Sequence, residues 1–355
     1  MKKRLRYFRF AAWMLVVAIA LPVAARAQQK KKLKFGLVTN AVAPFWTPMT
    51  KGMEQAAKEL GVEASWRGPQ TGQVDEQKRL LEEYVSGGVN GVSVSVVEGK
   101  AIGPDIDRMI AKGIQVVTMD SDAPESKRFA YIGTNNHQAG VAAGKQAIRV
   151  LGGKPAKVIA FVGYRGAQNA RERLAGFVEA TKPHGIEVID VREDQTDKTK
   201  ARANAENALL EHPEVTLMYG LWSYNGPAIA QAVEEQKKRD KVKIVCFDAE
   251  PVTLENLKSG KVDATIVQRP FMFGYISVQL LNDLGTIGAD ATRKKWQTDG
   301  VTVKTKDAPL SFKLDDKGNV DTGVEAIVPP TVTDPTTKSV DKYRKDLEAL
   351  GIKSS

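Results

Sequence analysis

The sequence predicts an α/β protein made of two similar parallel-sheet halves, and three observations carry that prediction. From Leu33 onward, short β-branched runs alternate with helix-length amphipathic stretches, the pattern of parallel strands covered by helices. Several helical stretches stop at a glycine just past the last periodic residue: Gly61, Gly113, Gly152, Gly185 and Gly260. The alternation breaks once, between Met119 and Phe129, where DSDAPESKR replaces a helix, with four strand-helix units before it and about five after. The chain is expected to cross there to a second domain. The periods are too irregular for a repeat array.

Taken in order, strands are expected at 33–39, 62–66, 91–96, 114–119, 129–133, 156–162, 186–191, 215–220, 242–247 and 262–267. Helices are expected between most of them, at 45–60, 73–87, 101–112, 137–151, 169–182, 198–211, 226–238, 251–259 and 271–284. The last seventy residues are less regular. There TDGVTVKT and GVEAIVPP read as strands, VPPTVTDPTT as an extended segment, and 340–350 as a terminal helix before Gly351.

A chain of 355 residues has the length for two cores at about one domain per 150 residues. With 42% hydrophobic and 26% charged residues, it has the composition of a globular protein, which excludes a disordered or collagen-like chain. The formal charge of +10 suggests nucleic acid until its location is considered. Six basic residues (Lys2, Lys3, Arg4, Arg6, Arg9, Arg26) lie in the first 27, where there is no Asp or Glu, so the remainder carries only +4. No nucleic-acid partner is expected.

That first segment runs from a basic start through an apolar stretch (Phe10 to Val23) to Ala25-Arg26-Ala27, the layout of a secretory signal peptide. Cleavage is expected after Ala27, which would leave an exported chain of 328 residues. The apolar run is shorter than the roughly 18 residues a membrane span needs. The single cysteine, Cys246, sits in an apolar run and is expected to be a core thiol, so the cores alone hold the chain together.

The search for catalytic chemistry finds nothing specific. The three histidines (His137, His184, His212) are far apart, no G-x-S-x-G elbow or P-loop is present, and FVGYRG at 161–166 lacks the dinucleotide pattern. No metal and no cofactor are expected.

The sequence instead places polar and aromatic residues just past the carboxyl ends of strands, where open α/β sheets bind ligands. These are Asn40 with Pro44-Phe45-Trp46, then Asp120-Ser121-Asp122, the segment 165–173, Asp248 and Gln268. Aromatic faces pack on the C–H side of a sugar, while carboxylates, amides and a guanidinium fork take its hydroxyls. Each residue also has a structural reading. Phe45 and Trp46 fit a helix start with core aromatics, and Asp120 and Asp248 fit loop or cap positions. Arg173 fits a surface pair with Glu172 or Glu179, as does Arg171, and Trp222 with Asn225 fits a surface aromatic and a cap.

The segments FGLVTNAVAPFW, VVTMDSDAP, YIGTNNHQAG, NARERLAGF, IVCFDAEP and VDATIVQRP, in that order and after a signal peptide, give the chain a family likeness. From Leu33 to about Val328 it resembles the type I periplasmic solute-binding proteins of ABC sugar importers, in the ribose-, allose- and galactose-binding cluster. The resemblance implies two doubly wound lobes joined by hinge strands, with one sugar clamped between them. The lobes are then 33–122 with 269–296, and 129–268 with 297–328, followed by an extension at 329–355. It implies that Phe45 and Trp46 are first-lobe aromatics, that Asp120 accepts a hydroxyl, that Arg173 is the second-lobe guanidinium, and that Asp248 and Gln268 are further contacts. Ser121, Trp222 and Asn225 complete the expected shell. The departures are Ala43 and Ser121 for an Asn and an Arg, Thr196 for a second-lobe aromatic, and Trp222 for an Asn. These four changes argue against ribose itself.

Asp120, Asp122 and Asp248 against Arg173 make the expected site net negative, which disfavours a sugar acid or phosphate. The expected partners are a neutral monosaccharide or polyol and the membrane subunits of an ABC importer, with the chain a monomer. Two alternatives stay open. One is a sugar receptor for chemotaxis or a sensor kinase; the other is an exported carbohydrate-active enzyme using Asp120 and Asp248 as a carboxylate pair.

Overall fold

In the computed structural model, which describes residues 32–304 and 309–352, the apolar runs near the centre of each half become strands buried on both faces, as parallel sheets demand. The first half runs β1 (Lys34–Val38), α1 (Thr47–Leu60), β2 (Glu63–Arg67), α2 (Val74–Ser86), β3 (Gly91–Val94), α3 (Gly99–Ala111), β4 (Gln115–Met119) and β5 (Tyr131–Gly133). The second runs α4 (Asn136–Val150), β6 (Ala156–Val162), α5 (Gln168–Thr181), β7 (Ile186–Glu193), α6 (Lys198–Glu211), β8 (Leu217–Gly220), α7 (Asn225–Glu235), β9 (Lys243–Phe247), α8 (Pro251–Lys258) and β10 (Ala264–Val267). Then come α9 (Pro270–Ile287), α10 (Ala289–Thr298), β11 (Val301–Val303), β12 (Leu310–Phe312), β13 (Asn319–Asp321), β14 (Glu325–Val328), β15 (Lys338–Ser339) and α11 (Val340–Ala349). The five glycines expected to end helices all take positive φ. The signal-peptide segment lies outside the described residues.

The two main sheets repeat one topology. Their orders are β13-β5-β4-β3-β1-β2 and β15-β14-β10-β9-β8-β6-β7, so β6 to β10 of the second match β1 to β5 of the first. In each, the order reverses beside the first strand, and such switch points open a crevice at the strands' carboxyl ends. The strands through this region are parallel; β14 runs antiparallel to β10 at the second sheet's edge, and β15 runs parallel to β14 beyond it.

The break between Met119 and Phe129 is not the crossing that the sequence suggests. Residues 121–128 fold back and set β5 beside β4 in parallel, pairing Thr118 with Tyr131 and Met119 with Ile132. Asp122 holds this link: its two carboxylate oxygens accept from Arg128 Nε at 2.5 Å and Nη2 at 2.6 Å, and Thr118 Oγ1 donates to Oδ1 at 2.6 Å. The chain passes between sheets one element later, between β5 and α4. It returns between β10 and α9, and passes once more between β13 and β14.

Hydrogen bonds tie the three crossings together. Thr134 Oγ1 donates to Gln268 Oε1 at 3.0 Å and Thr322 Oγ1 to the Gly133 carbonyl at 3.1 Å. Arg269 donates to the Thr322 carbonyl at 3.2 Å and to Glu325 at 2.9 Å.

Two stretches expected with the second half therefore lie with the first sheet. Tyr131–Gly133 and Asn319–Asp321 are strands of that sheet. Val303, Phe312, Leu314 and Val320 share one apolar cluster with Phe35, Leu37 and Trp46. The terminal helix α11 packs Val340, Tyr343 and Leu347 on the second sheet's cluster. Cys246 is fully buried there, and burial pushes its thiol up to about 12, so it is inert packing.

Candidate functional site

The carboxyl ends of β1, β4, β6, β8, β9 and β10 open into a cleft of about 1290 Å3, counted with the solvent at its mouth. Eight of the nine residues singled out from the sequence line it: Phe45, Trp46, Asp120, Ser121, Arg173, Trp222, Asp248 and Gln268. The ninth, Asn225, does not. Its side chain is fully buried, accepting from the Trp222 backbone N–H at 3.0 Å and donating to Asp194 at 3.0 Å. Nor does it cap α7, the other role the sequence left open: it is that helix's first residue, and its side chain ties the Trp222 backbone to Asp194.

On the first wall, Pro44 starts a short 3-10 turn that presents Phe45 and Trp46. Both line the cleft, yet Trp46 is 2% exposed and belongs to the core, packed edge-on against Phe45 with ring centres 4.9 Å apart. Phe45 is half-buried and is the more available face.

Asp120 and Asp248 occupy the same place in the two repeats, the exits of β4 and β9, and both have left-handed backbone, φ 59° and 67°. Aspartate tolerates that conformation better than most side chains, and strain of this kind concentrates at functional sites. Neither carboxylate caps a helix. Asp120 Oδ2 accepts from Ser95 Oγ at 2.7 Å and Ser121 Oγ at 3.2 Å, and Asp248 Oδ1 accepts from Gln268 Nε2 at 3.1 Å. Burial raises both pKa values against the opposing pull of Arg173; Asp248 is pushed up to about 6.

Arg173 reaches the cleft because α5 lies backbone to backbone against α4. A Cβ on Gly140 would meet the Arg173 carbonyl at 2.1 Å, and one on Gly176 the His137 carbonyl at 2.0 Å, so only glycine permits this approach. The guanidinium is 1% exposed. Its Nε donates to Asn136 Oδ1 at 3.0 Å and Nη1 to the Leu221 carbonyl at 2.8 Å, and it lies 4.2 Å over the Phe247 ring. Nη2 has no partner. A buried cationic donor facing a cleft without an acceptor is what a hydroxyl-bearing ligand would satisfy. Arg171, two residues earlier, is exposed and donates to the Gly166 carbonyl on its own surface.

The expected charge count needs one correction. Asp122 does not line the cleft, because Arg128 neutralises it in the β4–β5 link. Deep in the cleft two carboxylates, Asp120 and Asp248, stand against the Arg173 guanidinium, while the less buried Glu250 and Lys198 add one charge of each sign to its lining. Sequence reasoning also missed Tyr164 and Tyr224 and, within the segment 165–173, did not single out Asn169; all three line the second wall. Asn169 stood in plain view in NARERLAGF, but only the fold brings it to Trp222 Nε1, which donates to its Oδ1 at 3.1 Å.

A cleft between two repeated α/β sheets, with paired acidic strand exits and a buried unsatisfied guanidinium, defines a two-lobed small-molecule-binding protein. The chain belongs to the periplasmic binding protein domain family, whose model matches residues 35–289. It is 27% identical over 257 residues to the ribose import binding protein of Bacillus subtilis, covering 72% of this chain and 82% of that one. It is also 27% identical over 292 residues to the D-allose-binding periplasmic protein of Escherichia coli, covering 80% and 92%. Among solved structures, an ABC transporter solute-binding protein from Burkholderia graminis in complex with D-arabinose superposes with a TM-score of 0.73 at 29% identity, covering 86% of this chain and 98% of that one.

Proposed function

We propose that this chain is an exported solute-binding protein that captures a neutral sugar or polyol in the cleft and delivers it to an ABC importer. The observation that carries the reading is the buried Arg173 Nη2 without a partner, set opposite two desolvated carboxylates. Alternating donors and acceptors of this kind suit hydroxyls, each of which both donates and accepts. Relatives whose names specify ribose, allose and D-arabinose support the same class. The inner excess of negative charge disfavours sugar acids and phosphates.

A thermal-shift panel of pentoses, hexoses, deoxysugars and polyols tests this. A ligand held only by the folded form stabilises by about 4 kcal/mol at a thousandfold excess over its dissociation constant, a rise of several degrees in Tm. One or a few clear responders are expected. A flat panel at millimolar concentration, or tight binding confined to sugar acids, would sink the proposal.

Capture by closure follows if the lobes turn about the crossings at 133–136, 267–270 and 321–325. Ligand should then reduce the radius of gyration in small-angle scattering with no change in helix content, whereas an unchanged radius argues for a rigid binder. Export to the periplasm with cleavage after Ala27 completes the reading; the mass of the mature protein tests it.

A further inference from the structure

We propose that Trp222 sets the specificity of the cleft by walling its second side with carbon, so that the ligand turns C–H groups or a methyl, not a hydroxyl, toward that wall. The inference rests on the sugar-binding reading above. It begins with hydrogens already in use. The only donor on the indole, Nε1–H, is given to Asn169 Oδ1 at 3.1 Å, and the Trp222 backbone N–H to Asn225 Oδ1 at 3.0 Å. The neighbouring hydroxyls are committed likewise: Tyr164 to the Gln195 carbonyl at 3.3 Å, Tyr224 to Asp194 at 2.5 Å, and Thr196 to the Gln195 carbonyl at 2.6 Å.

The ring is also fixed in place. It lies on the backbone of Gly163, where a Cβ would come within 2.1 Å of it, and Tyr164 and Tyr224 brace it edge-on at 6.2 and 6.5 Å between centres. Turning it aside would break these contacts and its bond to Asn169. Thr196, where the family likeness leads one to expect the second-lobe aromatic, is an exposed small residue with φ 66° and offers no ring. Trp222 supplies aromatic surface from a different strand exit, that of β8. A sugar hydroxyl pressed against the ring face meets only carbon, the Asn169 amide being held at the indole's edge, and losing a hydrogen-bond partner weakens binding by roughly tenfold or more.

The test is calorimetric titration of the wild type, Trp222→Phe and Trp222→Asn with sugar pairs that differ by one group: L-fucose and L-galactose, L-rhamnose and L-mannose, D-xylose and D-glucose. The wild type should favour the less hydroxylated member of the pair it binds by at least about tenfold. Trp222→Phe should stay within about threefold of wild type, and Trp222→Asn should lose about tenfold for that sugar and narrow or reverse the preference. The wild-type selectivity needs no variant to fold. Equal affinities within the bound pair, or an Asn variant that binds as the wild type does, would overturn the role of Trp222 alone. A wild type that binds no member of these pairs and nothing in the panel of sugars and polyols above overturns the reading beneath it.

Discussion

Replacing Arg173 with lysine should weaken ligand binding by roughly tenfold to a hundredfold while leaving the free protein folded. Lysine keeps the positive charge that opposes the raised pKa values of Asp120 and Asp248. It cannot reproduce the fork, which bonds Asn136 and Leu221 with two nitrogens and leaves the third for the ligand. Hydrogen bonds to charged groups contribute about 1.5–3 kcal/mol, and about 1.4 kcal/mol is a factor of ten. Alanine is a different experiment. If the guanidinium stood in an open, wet cleft, water would satisfy what an Ala leaves behind. The structure argues otherwise, because the side chain is 1% exposed and its loss strands Asn136 Oδ1, the Leu221 carbonyl and two acidic neighbours. Arg173→Ala should destabilise the free protein by on the order of 3 kcal/mol, read as a lower urea midpoint. Arg171→Ala, an exposed change, should alter affinity less than about twofold. If Arg173→Lys binds normally while Arg171→Ala does not, the assignment of the guanidinium is wrong.

What the sequence disclosed and what it hid divide along the range of the interactions involved. Strand runs, glycine helix stops and the acidic strand exits are local patterns, and the fold follows them closely. The lobe crossing was misplaced because a strand-to-strand link without a helix looks the same whether it leaves a sheet or rejoins it. What decides is the pairing of Tyr131 with Thr118 and of Asn319 with Tyr131, the latter across nearly two hundred residues. Asp122 was counted in the cleft for a similar reason, since three acidic-polar letters in a row give no sign which carboxylate meets Arg128. Asn225 and Trp222 lie three residues apart, yet one is locked to Asp194 and the other walls the cleft. That separation depends on helix α7 starting at Asn225 and on Asp194 arriving from beyond β7, which no window of the sequence contains.

Affinity should fall about tenfold between pH 7 and pH 5, and the free protein should answer to pH in the opposite sense. Asp248 is buried at the exit of β9 facing Asp120, Arg173 and the Gln268 amide, and burial pushes it up to about 6. A ligand hydroxyl that donates to its carboxylate needs the charged form. Below about 6 the proton must first be released, so the dissociation constant rises toward tenfold per pH unit. For the free protein, the unfolded aspartate titrates near 4 and the native one near 6, so the native state holds the extra proton across that window. Stability from this residue is therefore greatest below about pH 4 and is lost as pH rises to about 6, by on the order of 3 kcal/mol. Asp120, raised in the same direction by burial, adds to the trend. Asp248→Asn removes the titration: its weakened binding should vary far less between pH 5 and 7, and its free form should be more stable than wild type at pH 7. Calorimetry at pH 5, 6 and 7 with urea unfolding at the same values measures both limbs. A wild-type dissociation constant that is flat across that range would mean that Asp248 is not charged against the ligand, and the role given to the β9 exit would fall with it.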